Sequence, residues 1–485
     1  MLYHMDSIQF ALALDRFDVT VHQPHPPGYF LYVMLGRLFN FFIQDPNTTF
    51  ITISILFSAL AVVVIYYLGK ELFDSKCALI AALLAITSPN LWFHGELALS
   101  YTVEAFLSAF IAFLCWKIYN GRESHIWLLA FVMAVAGGIR QNAPVFLLPL
   151  CVFSVWKLPL RKILASVCLF AGSSLLWFVP MTQMTGGLDT YNAALRVLWA
   201  STAANKTVFD QGFPAFSHHA IVLFHFFVYG IGGGLVLLAF CLYYLVRNNK
   251  LNALDYNKVV FFSLWILPSF LFFLLIAIHP SVPGHVLIFL PPLLLLTAGA
   301  TGYLCTEMKR LLNLNFLSVT TFILIVTNVY MFFFFVTPRT YLIYPASYTS
   351  IREHDKFLSL VVERLKTFDP ETVVLFLDVN RIYFGLFHAT YYLPEHTFYD
   401  PRVISHPLTE DKKIWGGLNK RIILTDRIVL PRTIKSYATL LFTDEPKKLP
   451  GKGMVKIEPL VPGIYLLSGP IGYLGEIYPG VKIIR

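Results

Sequence analysis

A chain of 485 residues that is 57% hydrophobic and only 13% charged carries more apolar side chain than a water-soluble fold of this size can bury. The formal charge of +9 does not point to nucleic acid, because the Lys and Arg residues between apolar runs form short clusters at helix ends rather than a basic face interleaved with aromatics. All six cysteines lie within or beside apolar runs, so the sequence encodes neither a disulfide framework nor a zinc site.

In chain order, Asp6 to Phe17 reads as a short amphipathic helix with Ile8, Phe10, Leu12 and Leu14 as its apolar positions. The first dozen residues include an acid and lack the basic start and apolar core of a signal peptide. His22 and His25 then lead into a rigid Pro26-Pro27 turn that fixes their direction. Residues 27–43 are apolar but interrupted by Gly36 and Arg37, with Tyr29 and Tyr32 as anchors, and suit a helix lying along or dipping into the membrane interface.

Ten spans long enough to cross the hydrocarbon core follow, at about 48–69, 77–93, 103–119, 126–139, 143–157, 163–181, 220–246, 259–278, 285–304 and 315–337. Lys and Arg crowd into alternate connections: Lys70 and Lys76, Lys117 and Arg122, Lys157 with Arg161 and Lys162, Arg247 with Lys250 and Lys258, and Lys309 with Arg310. The other set holds Arg140, Arg196 and Lys206, so the first set is expected to be cytoplasmic. An even number of spans then puts both the N-terminal segment and the tail outside the cytoplasm. The longest outside connection, 182–219, carries a helical pattern of Leu188, Tyr191, Leu195 and Leu198, read equally well as a lid or as an interfacial strap. In the tail, SYTSIREHDKFLSLVVERLKTF is an amphipathic helix, and ETVVLFLD, KRIILTD, YATLLFTDE and GIYLLSG are β runs. The expected architecture is an α-helical polytopic membrane bundle with a C-terminal extracytoplasmic α/β domain. Its divisions are a loop with amphipathic helices over 1–47, a transmembrane bundle over 48–338 and the tail domain over 339–485.

Polar chemistry collects at one rim of this bundle, where intramembrane ionisable groups mark function. Asp6 suits an N-cap as well as a catalytic acid. His22 and His25 alone are too few for a metal site. The segment WFHGELALSYTVEAF sets His94, Glu96, Tyr101 and Glu104 together, and Arg140, against the local charge bias, has Glu96, Glu104 or an anionic headgroup as partner. His279 and His285 read as capping or interfacial residues.

Together DSIQFALAL, HQPHPPGYFLYV, HGELALSYTVEAF, GGIRQNAP and PSVPGHVLIFLP resemble the integral-membrane glycosyltransferases of the GT-C superfamily, in the protein O-mannosyltransferase, aminoarabinose-transferase and lipopolysaccharide-sugar-transferase branch. The resemblance covers about residues 5–300. It implies that Asp6 is the catalytic carboxylate and that Glu96, with Tyr101, is the acid of the second outside loop. It further implies that His25, ahead of Pro26, Pro27 and Tyr29, is the basic residue that approaches the donor phosphate, and it puts Arg140 near the donor, with Glu104 beside it. The family has a membrane helix ahead of its catalytic acid, which the five residues before Asp6 cannot supply. Implied partners are a polyprenyl-phosphate-linked sugar donor, a lipid, glycan or protein acceptor, and membrane lipids, with no nucleic acid. The superfamily has metal-using and metal-independent members, so a divalent cation is compatible and none is assigned. The rival reading is a polyprenyl-lipid transporter or flippase, which would place ionisable residues near the midplane of broken helices and show a repeat between halves.

Overall fold

The structure is a computed structural model that describes residues 1–204, 206–312, 316–335, 345–377, 384–399, 422–423, 427–442, 454–478 and 482–484. It divides into two compact units, one formed by Met1–Gly28, Met184–Val197 and Arg352–Arg485, the other by Tyr29–Gln183 and Leu198–Ile351.

Unit 1 begins with α1 (Met5–Asp15) and gains the start of α10 (Leu188–Thr202) from the long connection. The tail completes it, with α17 (Tyr348–Leu365) and α18 (Leu386–Tyr392) beside a six-stranded sheet. The strands are β1 (Val373–Phe376), β2 (Phe398–Tyr399), β3 (Ile422–Ile423), β4 (Arg427–Val429), β5 (Ser436–Phe442), β6 (Lys456–Val461), β7 (Ile464–Pro470) and β8 (Lys482–Ile484). The sheet runs β3-β2-β1-β5-β7-β6, parallel from β3 to β5 and antiparallel through β7 and β6, while β4 and β8 pair separately. Strand β1 is buried on both faces, as a continuous apolar run in a parallel sheet should be. Helix α17 buries His354, Leu358, Val361, Val362 and Leu365, the single stripe its sequence pattern encodes.

Unit 2 is all helical. In order it contains α2 (Phe30–Ile43), α3 (Pro46–Leu72), α4 (Ser75–Thr87), α5 (Pro89–Gly95), α6 (Tyr101–Tyr119), α7 (His125–Ile139), α8 (Asn142–Val155) and α9 (Leu160–Met184). After α10 come α11 (Val208–Gln211), α12 (Phe213–Ile231), α13 (Gly234–Arg247), α14 (Tyr256–Leu275), α15 (Leu290–Leu312) and α16 (Leu317–Phe333). Asp45 caps α3 through Thr48 N at 2.7 Å, and Asp74 caps α4 through Lys76 N and Cys77 N, each at 2.8 Å. Among the described residues, five helices (α3, α6, α9, α12 and α14) are long and apolar enough to cross a membrane, and α4 with α5 makes a sixth, bent by 54°. Side chains such as Leu176 and Val145 stand exposed on this unit, a surface that suits lipid and not water.

Two expected spans are broken. The 77–93 span bends where Ser88 caps α5 and Pro89, which has no N–H, begins it. The 220–246 span splits at Gly232, whose φ of +53° ends α12 and whose absent side chain makes room for Asn328; a Cβ would lie 2.1 Å from Asn328 Oδ1. The two breaks share neighbours, since Ser88 Oγ donates to Gly230 O at 2.6 Å and Asn328 Nδ2 reaches Thr87 Oγ1 at 3.5 Å. Both ends expected for the last span, 315 and 336–337, and part of the KRIILTD strand lie outside the described residues.

Candidate active site

The acid and the histidines of the N-terminal segment meet in unit 1. Helix α1 starts at His4, whose ring Nδ1 accepts the Asp6 N–H at 3.1 Å, an unusual side-chain cap that sets Asp6 in the first turn at the positive end of the helix dipole. Because His4 Nδ1 accepts, neutral His4 carries its proton on Nε2, and Nδ1, 3.4 Å from Asp6 Oδ2, does not donate to the carboxylate. Asp6 is only 15% exposed.

The chain then turns back over α1. An antiparallel bridge between Asp18 and Gln23, with Asp18 Oδ1 accepting from Thr20 N and Oγ1 at 3.1 and 2.7 Å, closes a loop in which His22 takes φ +57°. Gln23-Pro24 and Pro26-Pro27 are cis, and the turn delivers His25 with its Nδ1 3.7 Å from Asp6 Oδ1. Tyr191 of α10 donates its hydroxyl proton to Pro27 O at 3.0 Å, tying the long connection to this turn. Burial, and after it the nearby His25, pushes His22 down to about 3 against the pull of Asp6, so this histidine is neutral.

The tail grips the same helix. Tyr392 Oη accepts from Leu2 N at 2.8 Å, Tyr3 packs edge-on against His354 with ring centres 4.3 Å apart, and α18 lies along α1. His388 of α18 is fully buried; burial, then His4, pushes it down to about 3, opposed by hydrogen bonding to the Tyr3 and Leu2 backbone. Helix α18 thus supports the segment whose His4 caps Asp6.

In unit 2, four expected residues form a second cluster. Arg140, at the C-cap of α7, places Nε 3.0 Å from Glu104 Oε2 and Nη1 3.2 Å from Ser100 Oγ. Its guanidinium lies over Tyr101 at 4.3 Å and Tyr29 at 5.4 Å. Between the two acids the sequence left open as partners, the structure selects Glu104, which is 2% exposed. Glu96 stands apart. It is exposed at the C-cap of α5 and forms no ion pair, with Arg140 or any other residue, among the described residues.

Three contributors were missed in the sequence. Gln9, one turn from Asp6, is fully buried and binds His25; its three-residue spacing from Asp6 was the available signal. Ser100 completes the Arg140 contacts. Gly284, in the PSVPGHVLIFLP motif, packs so close to Tyr101 that a Cβ would come within 2.4 Å of the ring. Tyr101 also meets His94 and His285 edge-on, with ring centres 5.2 and 6.1 Å apart. No group of three or more His, Cys, Asp or Glu residues with metal-site spacing occurs among the described residues.

A mostly helical chain with several membrane-length apolar helices and a small sheet unit that holds an acid and paired histidines is an integral membrane protein. The comparisons specify it further. Residues 24–186 match the model of the dolichyl-phosphate-mannose-protein mannosyltransferase family. The fold matches ArnT from Cupriavidus metallidurans bound to undecaprenyl phosphate at 12% identity and TM-score 0.58, covering 96% of this chain and 94% of that one. The apo state of the same ArnT matches at 10% identity and TM-score 0.54, with the same coverage. An Archaeoglobus fulgidus oligosaccharyltransferase matches at 11% identity over 90% of this chain and 63% of that one, at a TM-score of 0.46 that adds no weight. No curated protein sequence matches. What this chain shares with these transferases is a family-model match over residues 24–186 and, at 12% identity, the fold.

Proposed function

We propose that this protein transfers a sugar from a polyprenyl-phosphate donor to a lipid, glycan or protein acceptor, with inversion at the anomeric carbon, on the extracytoplasmic face. The observation that carries the reading is the Asp6 and His25 pair, a carboxylate and an imidazole 3.7 Å apart at the start of a buried helix. The undecaprenyl phosphate named with the Cupriavidus ArnT supports the donor class.

In the reaction Asp6 accepts the proton of the acceptor hydroxyl as that oxygen attacks the anomeric carbon. The new bond forms as the bond from carbon to phosphate oxygen breaks, and the lipid phosphate leaves with the electron pair. His25, protonated, meets the negative charge that grows on the departing phosphate. Arg140 was the other cation expected there. Its charge is matched by Glu104, so in this reading it braces Tyr29 and Tyr101. In this reading Glu96, which is exposed, is available to the acceptor. For sidedness, the support is that the N-terminal segment, the start of α10 and the tail share one compact unit, as the parity of spans requires.

The test is mass spectrometry of lipid phosphate released by the protein in nanodiscs from a panel of undecaprenyl-phosphate sugars, with and without candidate acceptors. Release of lipid phosphate with the sugar on an acceptor supports the reading. Donor that crosses the bilayer intact and unreacted supports the flippase instead.

A further inference from the structure

Gln9 is 0% exposed, and its Oε1 lies 3.1 Å from the His25 backbone N and 2.7 Å from His25 Nδ1. The identity of that atom is not open to choice. A backbone N–H only donates, so the Gln9 atom facing it is the carbonyl oxygen, which brings no proton. The ring nitrogen on the same oxygen must therefore supply the proton of its own bond. His25 holds a proton on Nδ1 whatever its charge, and the nitrogen that Gln9 does not hold is Nε2. The Gln9 Nε2 is buried with no hydrogen-bond partner among the described residues, so the amide is retained at a cost, and what it supplies is the oxygen.

From this geometry we infer that Gln9 is a positioning residue for donor recognition: it fixes the ring orientation of His25 so that Nε2 is the nitrogen that meets the donor phosphate. The inference rests on the reading of His25 as the phosphate-facing base. Asp6 and Gln9 lie three residues apart on α1, so one helix holds the proton acceptor and aims the cation beside it. Asp6 Oδ1, at 3.7 Å from Nδ1, is too distant to replace the Gln9 hydrogen bond and acts on His25 through charge.

A double-mutant cycle on the full-length protein in nanodiscs tests the inference, reading affinity for undecaprenyl phosphate and, as control, for undecaprenol, which lacks the phosphate. The quantity of interest is the gain that the phosphate gives. His25→Ala should abolish most of it, and Gln9→Leu should lower it about tenfold, as loss of a hydrogen bond to a charged group does. A lysine has no ring to orient, so adding Gln9→Leu to His25→Lys should change the gain less than twofold. If Gln9→Leu lowers affinity equally in both backgrounds, or lowers undecaprenol affinity as much, Gln9 acts through packing and the inference is overturned. If His25→Ala leaves the phosphate gain intact, the underlying reading of His25 fails, and the inference with it.

Discussion

Replacing Arg140 by alanine separates a bracing role from a donor-binding one. The guanidinium is 7% exposed and its partner Glu104 2%, and Glu104 Oε1 has no hydrogen-bond partner among the described residues even with Arg140 in place. Removing the cation leaves a buried carboxylate without its countercharge, which typically costs about 3–5 kcal/mol. It also removes the planar group lying over Tyr101 and Tyr29, which contributes ~0.5–2 kcal/mol more. Arg140→Ala should therefore lower the melting midpoint sharply, followed by tryptophan fluorescence in nanodiscs. Adding Glu104→Leu should recover most of the loss, because deleting both charges of a buried pair is close to neutral. Arg140→Lys should recover little, since an ammonium cannot present a planar face and a fork to Ser100 and Glu104. The reasoning is refuted if Arg140→Ala melts like the parent while losing affinity for undecaprenyl phosphate, for then the guanidinium serves the lipid and not Glu104.

The remaining predictions concern the supports around these residues. His22 and His388 are held near 3 by burial against an ordinary value of 6.5, so the unfolded chain binds more protons across that window. The stability each contributes is present above 6.5 and lost as pH falls toward 3, by about 2 kcal/mol each at pH 5; melting of the parent should fall between pH 7.5 and 5, and a flat profile would contradict the burial. Gly284→Ala, which drives a Cβ into the Tyr101 ring, should destabilise the protein by ~1–3 kcal/mol, while Gly187→Ala, with open space but positive φ, should cost less. Tyr392→Phe strands the buried Leu2 N–H and should cost about 1–3 kcal/mol, visible as faster amide exchange across residues 2–8 than in the parent.

Much of the fold was legible because membrane helices announce themselves by length and apolar content, independently of their neighbours. Strand β1 was equally clear, since VVLF is a continuous apolar run buried on both faces. The breaks were not foreseen. Gly232 looks like an ordinary glycine in an apolar helix until Asn328, 96 positions away, is packed into the space it leaves. Within the site, Asp6 with His25 and Tyr101 with Glu104 and Arg140 were each found as types in the right order, but assigning partners needs distance. That is why Arg140 was left with two acids to choose from, although Glu96 forms no ion pair among the described residues. The grip of α18 on α1 joins residues almost 390 positions apart, which no local pattern encodes.

The most direct measurement compares Asp6→Asn with the parent on one undecaprenyl-phosphate sugar, reading donor affinity and single-turnover release of lipid phosphate in the same preparation. The isosteric amide keeps the shape and the cap at His4 but cannot take the acceptor's proton, so donor affinity should stay within a few-fold while release slows by about 10²–10⁴. Equal release by the two proteins would remove Asp6 from the chemistry and with it the proposed mechanism.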